Sequence, residues 1–189
     1  MHFDSLRFPA DPKTTVSIGG QTVELKECQT AVWVSLAPRL QFEPEYVQRP
    51  LLPAIIDTGY NNALCLREDH LQCAELPQWD FAPKCRKMAL ANSRTIKTPI
   101  LEVDLILHST MPGVAPHRIY LDRFGIDVYP SEPSQIPFGL LINDNVEQNL
   151  GPRLPVIGLR AFSYGSVDVH MKCTLGCITV DLFVPDNAG

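Results

Sequence analysis

The residues best placed to do chemistry are Asp57, Thr58 and Gly59. They follow directly on the apolar run Leu51-Leu52-Pro53-Ala54-Ile55-Ile56. A run this short, almost wholly apolar and bounded by turn formers, predicts a strand buried on both faces. Such a strand holds the carboxylate at its end still, and a pre-organised group needs no reorientation during a reaction. Gly59 lets the backbone turn sharply and approach its neighbours closely. Far along the chain, Leu154-Pro155-Val156-Ile157-Gly158-Leu159 is a second apolar run that ends at a glycine. Between the two, Met88-Ala89-Leu90-Ala91-Asn92-Ser93-Arg94-Thr95-Ile96 reads as two short strands around a polar tip.

These three segments resemble the retropepsin-like aspartic peptidases, in which a hydrophobic strand runs into Asp-Thr-Gly and a later hydrophobic-hydrophobic-Gly segment packs under that loop. Tyr60 and Asn61 after the glycine are similar to the single-domain bacterial and archaeal branch, with Phe or Tyr followed by Asn. The resemblance covers about residues 14–107 and 138–172. It implies a closed acid-protease β-barrel and an aspartic endopeptidase that takes a peptide or protein substrate in extended form. Because the chain carries a single Asp-Thr-Gly, it also implies a homodimer in which each copy supplies one Asp57. Two carboxylates within a few ångströms cannot both ionise and would share a proton. Water held between them would attack the peptide carbonyl, one carboxylate acting as base and the other as acid.

By the same resemblance, Thr58 would tie the loop to its twin, and Ile157 and Gly158 would support it from below. Tyr60, Asn61 and the flap residues Ala91, Asn92, Ser93 and Arg94 would meet the substrate. The chain also departs from the family. Viral members pair an Asp two residues past the glycine with an Arg after the later glycine, whereas here those positions are Asn61 and Leu159. The flap lacks a run of glycines, and 109–137 is an insertion without counterpart in the smallest members. The rival reading is a non-catalytic peptide- or protein-binding module on the same barrel, since fold does not fix function.

The elements that must position these residues read as all-β with one or two short helices. Val16 to Ile18 and Gln21 to Leu25 alternate around Gly19-Gly20, a hairpin signal. Thr30 to Leu36 is β-branched and aromatic, and predicts a strand. Leu66 to Ala74 has helical spacing. Leu101, Val103, Leu105 and Leu107 share one strand face, with Glu102 and Asp104 on a solvated edge. Arg118 to Leu121, Ile126 to Tyr129 and Phe138 to Ile142 are strand-like, and Leu159 to Tyr164 predicts a helical turn. The tail reads as a hairpin pairing Met171 with Ile178, with Cys173 to Gly176 as its turn. Residues 1–13 read as an arm, 14–184 as a single domain and 185–189 as a tail.

A chain of 189 residues with 45% apolar and 20% charged residues can bury a core without staples. Its 17 prolines, about twice the ordinary share, favour short strands and irregular loops. A net charge of -5 argues against nucleic acid, which needs a basic surface. No run approaches the ~18 apolar residues of a membrane span. The start, Met1 to Pro9, has no apolar signal core, so a reducing cytoplasm is expected. In that compartment the six cysteines (Cys28, Cys65, Cys73, Cys85, Cys173, Cys177) are expected as free buried thiols. His170 with Cys173 and Cys177 lacks a fourth ligand for zinc, and no metal or other cofactor is expected. His108 and His117 flank a loop and are expected to be solvated.

Overall fold

A computed structural model of the chain describes residues 1–9, 14–26, 28–38, 49–76, 85–89, 95–99, 101, 103–121, 126–129 and 153–186. These residues are mostly β. Seven strands form one mixed sheet in the order β10 (His117–Tyr120), β9 (Val103–His108), β4 (Ala31–Pro38), β5 (Leu52–Asp57), β12 (Val156–Gly158), β6 (Leu64–Arg67) and β11 (Ile126–Tyr129). Three more pair as β1 (His2–Pro9), β14 (Cys177–Phe183) and β13 (Asp168–Thr174). Two hairpins, β2 (Thr15–Ile18) with β3 (Gln21–Glu24) and β7 (Cys85–Ala89) with β8 (Thr95–Pro99), are the remaining strands among the described residues. Helices α1 (Glu68–Cys73) and α2 (Leu159–Tyr164) each span six residues.

The seven-stranded sheet curls into a half-barrel and does not close. The expected closed barrel is corrected on this point: β10 and β11 end the sheet at opposite edges and do not pair with one another. Burial follows the residue pattern. The central strands β4, β5 and β9 are mostly apolar and are buried on both faces. β14, the middle strand of the three-stranded sheet, alternates strictly, with Ile178, Val180 and Leu182 facing the core.

The stretch read as an arm holds β1, which pairs antiparallel with β14 along its length. Its period is hidden by a bulge between His2 and Asp4. The extra residue switches the inward face, so Phe3 and Leu6 are both buried although three apart. Asp4 is buried with them and fully engaged, accepting from the Ser5 and Thr110 amides and from the Thr110 hydroxyl at 2.8–2.9 Å.

Two further expectations change. In the β13–β14 hairpin, Met171 pairs with Val180 and Cys173 with Ile178, leaving Leu175-Gly176 as a tight turn. A slide by two residues preserves which face each side chain occupies, so alternation alone could not fix it. The turn decides, with Gly176 at φ +80°. Asp104 is not on a solvated edge either. It is fully buried and accepts from the Arg118 guanidinium across β9–β10, at 2.5 and 3.0 Å. The Gly19-Gly20 hairpin is as expected, both glycines at positive φ. The strand at 138–142, residue 102, the loop at 39–48 and the flap tip at 90–94 lie outside the described residues.

Candidate active site

Asp57 is the last residue of β5, and its setting is made by a strand from far along the chain. The strands β5 and β6 are joined by the loop from Thr58 to Ala63, yet they are not neighbours. Strand β12 lies between them, parallel to β5 (Ile157↔Ile56, Gly158↔Asp57) and antiparallel to β6 (Ile157↔Leu64). The Ile55 amide donates to Pro155 O at 2.8 Å, and the Gly158 amide donates to Ala63 O at 3.1 Å. The loop is therefore fastened to β12 at both ends. On its other side β5 pairs with β4, and the Ile56 amide reaches Thr30 O at 3.0 Å.

Gly158 sits directly beneath the loop. A Cβ there would stand 2.1 Å from Asn62 O and 2.5 Å from Tyr60 O, both backbone atoms. The requirement for glycine is one of close approach. Gly59 differs: a Cβ there would meet only Asp57 Oδ1, at 3.4 Å. Asp57 itself is exposed. Its Oδ1 accepts the Gly59 amide at 2.8 Å, and its main-chain oxygen accepts the Tyr60 amide at 3.3 Å. Thr58 and Gly59 are exposed beside Asp57.

Tyr60 turns inward from this surface. Its hydroxyl donates to Asp127 Oδ2 at 2.5 Å and approaches Leu64 O at 3.2 Å. Asn62 Nδ2 donates to the same carboxylate oxygen at 2.7 Å. Asp127 lies on β11, 4% exposed, paired with Cys65 of β6. Burial, and then the nearby Cys65 and Asp127, push the Tyr60 phenol far above its ordinary range. Burial followed by Asp127 pushes the Cys65 thiol up to about 12. The phenol therefore stays a hydrogen-bond donor and braces the loop. Tyr60→Phe is expected to cost about 1–3 kcal/mol, because a buried acceptor loses a donor. Urea unfolding of the two proteins measures it.

A second brace runs below. The Arg67 amide donates to His70 Nδ1 at 3.1 Å, which leaves Nε2 as the donor to Arg153 O, also at 3.1 Å. His70 thus ties α1 to the segment that enters β12. It is 2% exposed, and burial lowers its pKa to about 4. The native state then binds fewer protons than the unfolded chain between that value and the ordinary one near 6.5. Its stabilising share is complete above about pH 6.5 and fades as pH falls toward 4, on the order of 3 kcal/mol in all. Denaturation midpoints from neutral to mildly acid pH are expected to fall for wild type and to fall less for His70→Gln.

The Asp57 turn opens on a cleft of about 520 Å³. Ile55, Leu154, Val156 and Met171 give it apolar walls, and Asp57, Thr58, Lys26 and Arg153 give it a polar rim. Of the residues expected at the site, Asp57 and Thr58 line the cleft, while Gly59 belongs to the turn and Ile157 and Gly158 to the strand paired with β5. Tyr60 and Asn61 adjoin the turn and do not line the cleft. Ala91 to Arg94 lie outside the described residues, between the paired strands β7 and β8.

The histidines expected to be solvated are tethered. His108 Nε2 is 2.8 Å from the Ser35 hydroxyl, and His117 Nε2 is 2.9 Å from Gly165 O. Burial lowers the pKa of His108. Of the five cysteines described, Cys65 is buried, while Cys28 and Cys173 are exposed, against the expectation of buried thiols. The roles of Asp127, Asn62 and His70 were missed in the sequence, as was the cationic rim. Among the described residues no helix is long and apolar enough to cross a membrane. Comparison with protein-family models, curated proteins and solved structures finds no match to this chain.

Proposed function

We propose that this chain is an aspartic endopeptidase of the retropepsin-like kind, active as a homodimer in which two Asp57 carboxylates share a proton. One observation carries the reading: an exposed carboxylate ends a buried strand and is held by the Gly59 amide over Gly158 of the inserted strand β12. That loop is braced at Asp127 and fastened at Ala63, so the carboxylate is aimed before substrate arrives.

In the proposed reaction an extended peptide lies along the cleft, with apolar side chains against Ile55, Leu154 and Val156. The ionised carboxylate takes a proton from a water between the two Asp57 side chains. The hydroxide equivalent attacks the peptide carbonyl carbon, and the protonated carboxylate donates to the carbonyl oxygen. Collapse of the tetrahedral intermediate breaks the C–N bond, and the amine leaves with a proton from the pair. The reaction needs no covalent intermediate.

The test follows from the stoichiometry. A chemically unfolded protein is incubated with the chain over a range of enzyme concentrations at mildly acid pH, and the products are mapped by mass spectrometry. Activity per chain is expected to rise with concentration and to level off where sedimentation reports dimer. Absence of cleavage throughout, or activity per chain that is independent of concentration in a strictly monomeric protein, overturns the reading.

A further inference from the structure

We infer that the cleft beside Asp57 selects peptides with an acidic side chain, Asp or Glu, next to the bond that is cut. The inference rests on the peptidase reading of Asp57. Its basis is the charge of the lining: Lys26 and Arg153 line the same cleft as Asp57, and among the described residues Asp57 is its one acidic lining residue. The chain as a whole carries a net charge of -5, so this cationic mouth runs against the overall balance. A local field of that sign attracts an acidic segment and disfavours a basic one.

Both cations rise from fixed backbone. The Gln29 amide donates to Lys26 O at 3.0 Å, and the Lys26 amide donates to the Gln29 side chain at 2.8 Å. These two bonds close the chain back on itself, and Cys28 within that reversal takes φ +62°. At the other cation, Arg153 O is held by His70 Nε2, and the following Pro155 O by the Ile55 amide. The apolar walls of the cleft, Ile55, Leu154, Val156 and Met171, give an acidic side chain's stem a surface to lie on while its carboxylate meets a cation. Both residues are exposed, so their charged groups can meet a ligand. Such an arrangement serves recognition.

The experiment uses peptides identical except for one residue on either side of the cleaved bond, set to Glu, Gln or Lys. The expected order of kcat/KM is Glu, then Gln, then Lys, with up to about five-fold per cation from the size of exposed ion pairs. High salt is expected to flatten the series. Lys26→Glu with Arg153→Glu is expected to reverse it, and Lys26→Gln with Arg153→Gln to level it. Cleavage with equal kcat/KM for the Glu and Lys peptides overturns the inference and leaves the peptidase reading standing. If no peptide is cut, fluorescence anisotropy of the labelled peptides decides instead. Tighter binding of the Glu peptide that is lost in the double Gln variant supports the acidic preference without hydrolysis, and equal binding overturns it.

Discussion

Asp57→Asn is expected to abolish peptide hydrolysis and to leave the folded chain as stable as before. The amide is isosteric with the carboxyl group, and its Oδ1 can go on accepting the Gly59 amide that Asp57 now accepts at 2.8 Å. The side chain is exposed, so no buried charge is lost. Unfolding free energy should therefore change by no more than about 0.5 kcal/mol. Chemistry is another matter, because an amide can neither take a proton from water nor give one to the leaving amine. A loss on the order of a thousand-fold in kcat is expected from removing acid–base function at the reacting centre. Mixing the two proteins sharpens the test. If each dimer needs both carboxylates, an equal mixture after subunit exchange keeps about a quarter of the wild-type activity, where independent monomers would keep about half. Retention of half, or an Asn variant as fast as wild type, rules out a shared pair.

The Asp57 turn and its supporting strand were legible in the sequence because each is a local pattern. An apolar run into Asp-Thr-Gly and another into Gly158 announce two buried strand ends, and they are the two that pair as Ile157↔Ile56 and Gly158↔Asp57. What stayed hidden depends on partners distant in the chain. Asp127 is a single acid in a four-residue strand, and nothing nearby says that Tyr60 and Asn62 will converge on it. Only the parallel pairing of β11 with β6 brings it there. Asp104 misled for a related reason. Alternation assigns it correctly to the face opposite Leu105, but that face is covered as well, with Ile106 buried alongside. The β1 strand was lost to its bulge, which breaks the two-residue period that sequence reading relies on. Closure of the sheet was an inference from resemblance, with no local residue pattern behind it, and the sheet is open.

Gly158→Ala is expected to damage both the fold and the reaction, although it adds one methyl group. The new Cβ would lie 2.1 Å from Asn62 O and 2.5 Å from Tyr60 O. Both obstacles are main-chain carbonyls, so no side-chain rotation clears them, and the loop carrying Asp57 must move. The loop resists, being held at Ala63 by the Gly158 amide and at Tyr60 and Asn62 by Asp127. Overpacking of this kind costs about 1–3 kcal/mol. A shift of about 1 Å at a catalytic group costs roughly a hundred-fold in rate. Gly59→Ala supplies the contrast, since its Cβ would make ordinary contact with Asp57 Oδ1 at 3.4 Å. Its backbone is not in the left-handed region either. The isolated chain should therefore tolerate alanine at Gly59 with little change in unfolding midpoint. In the proposed dimer, however, the Thr58-Gly59 turns of two copies face one another, and the added methyl groups crowd that contact. Lower activity and weaker association at unchanged chain stability would place Gly59 at the junction between copies. A Gly158→Ala protein with full stability and full activity would mean that β12 does not hold the Asp57 loop in place.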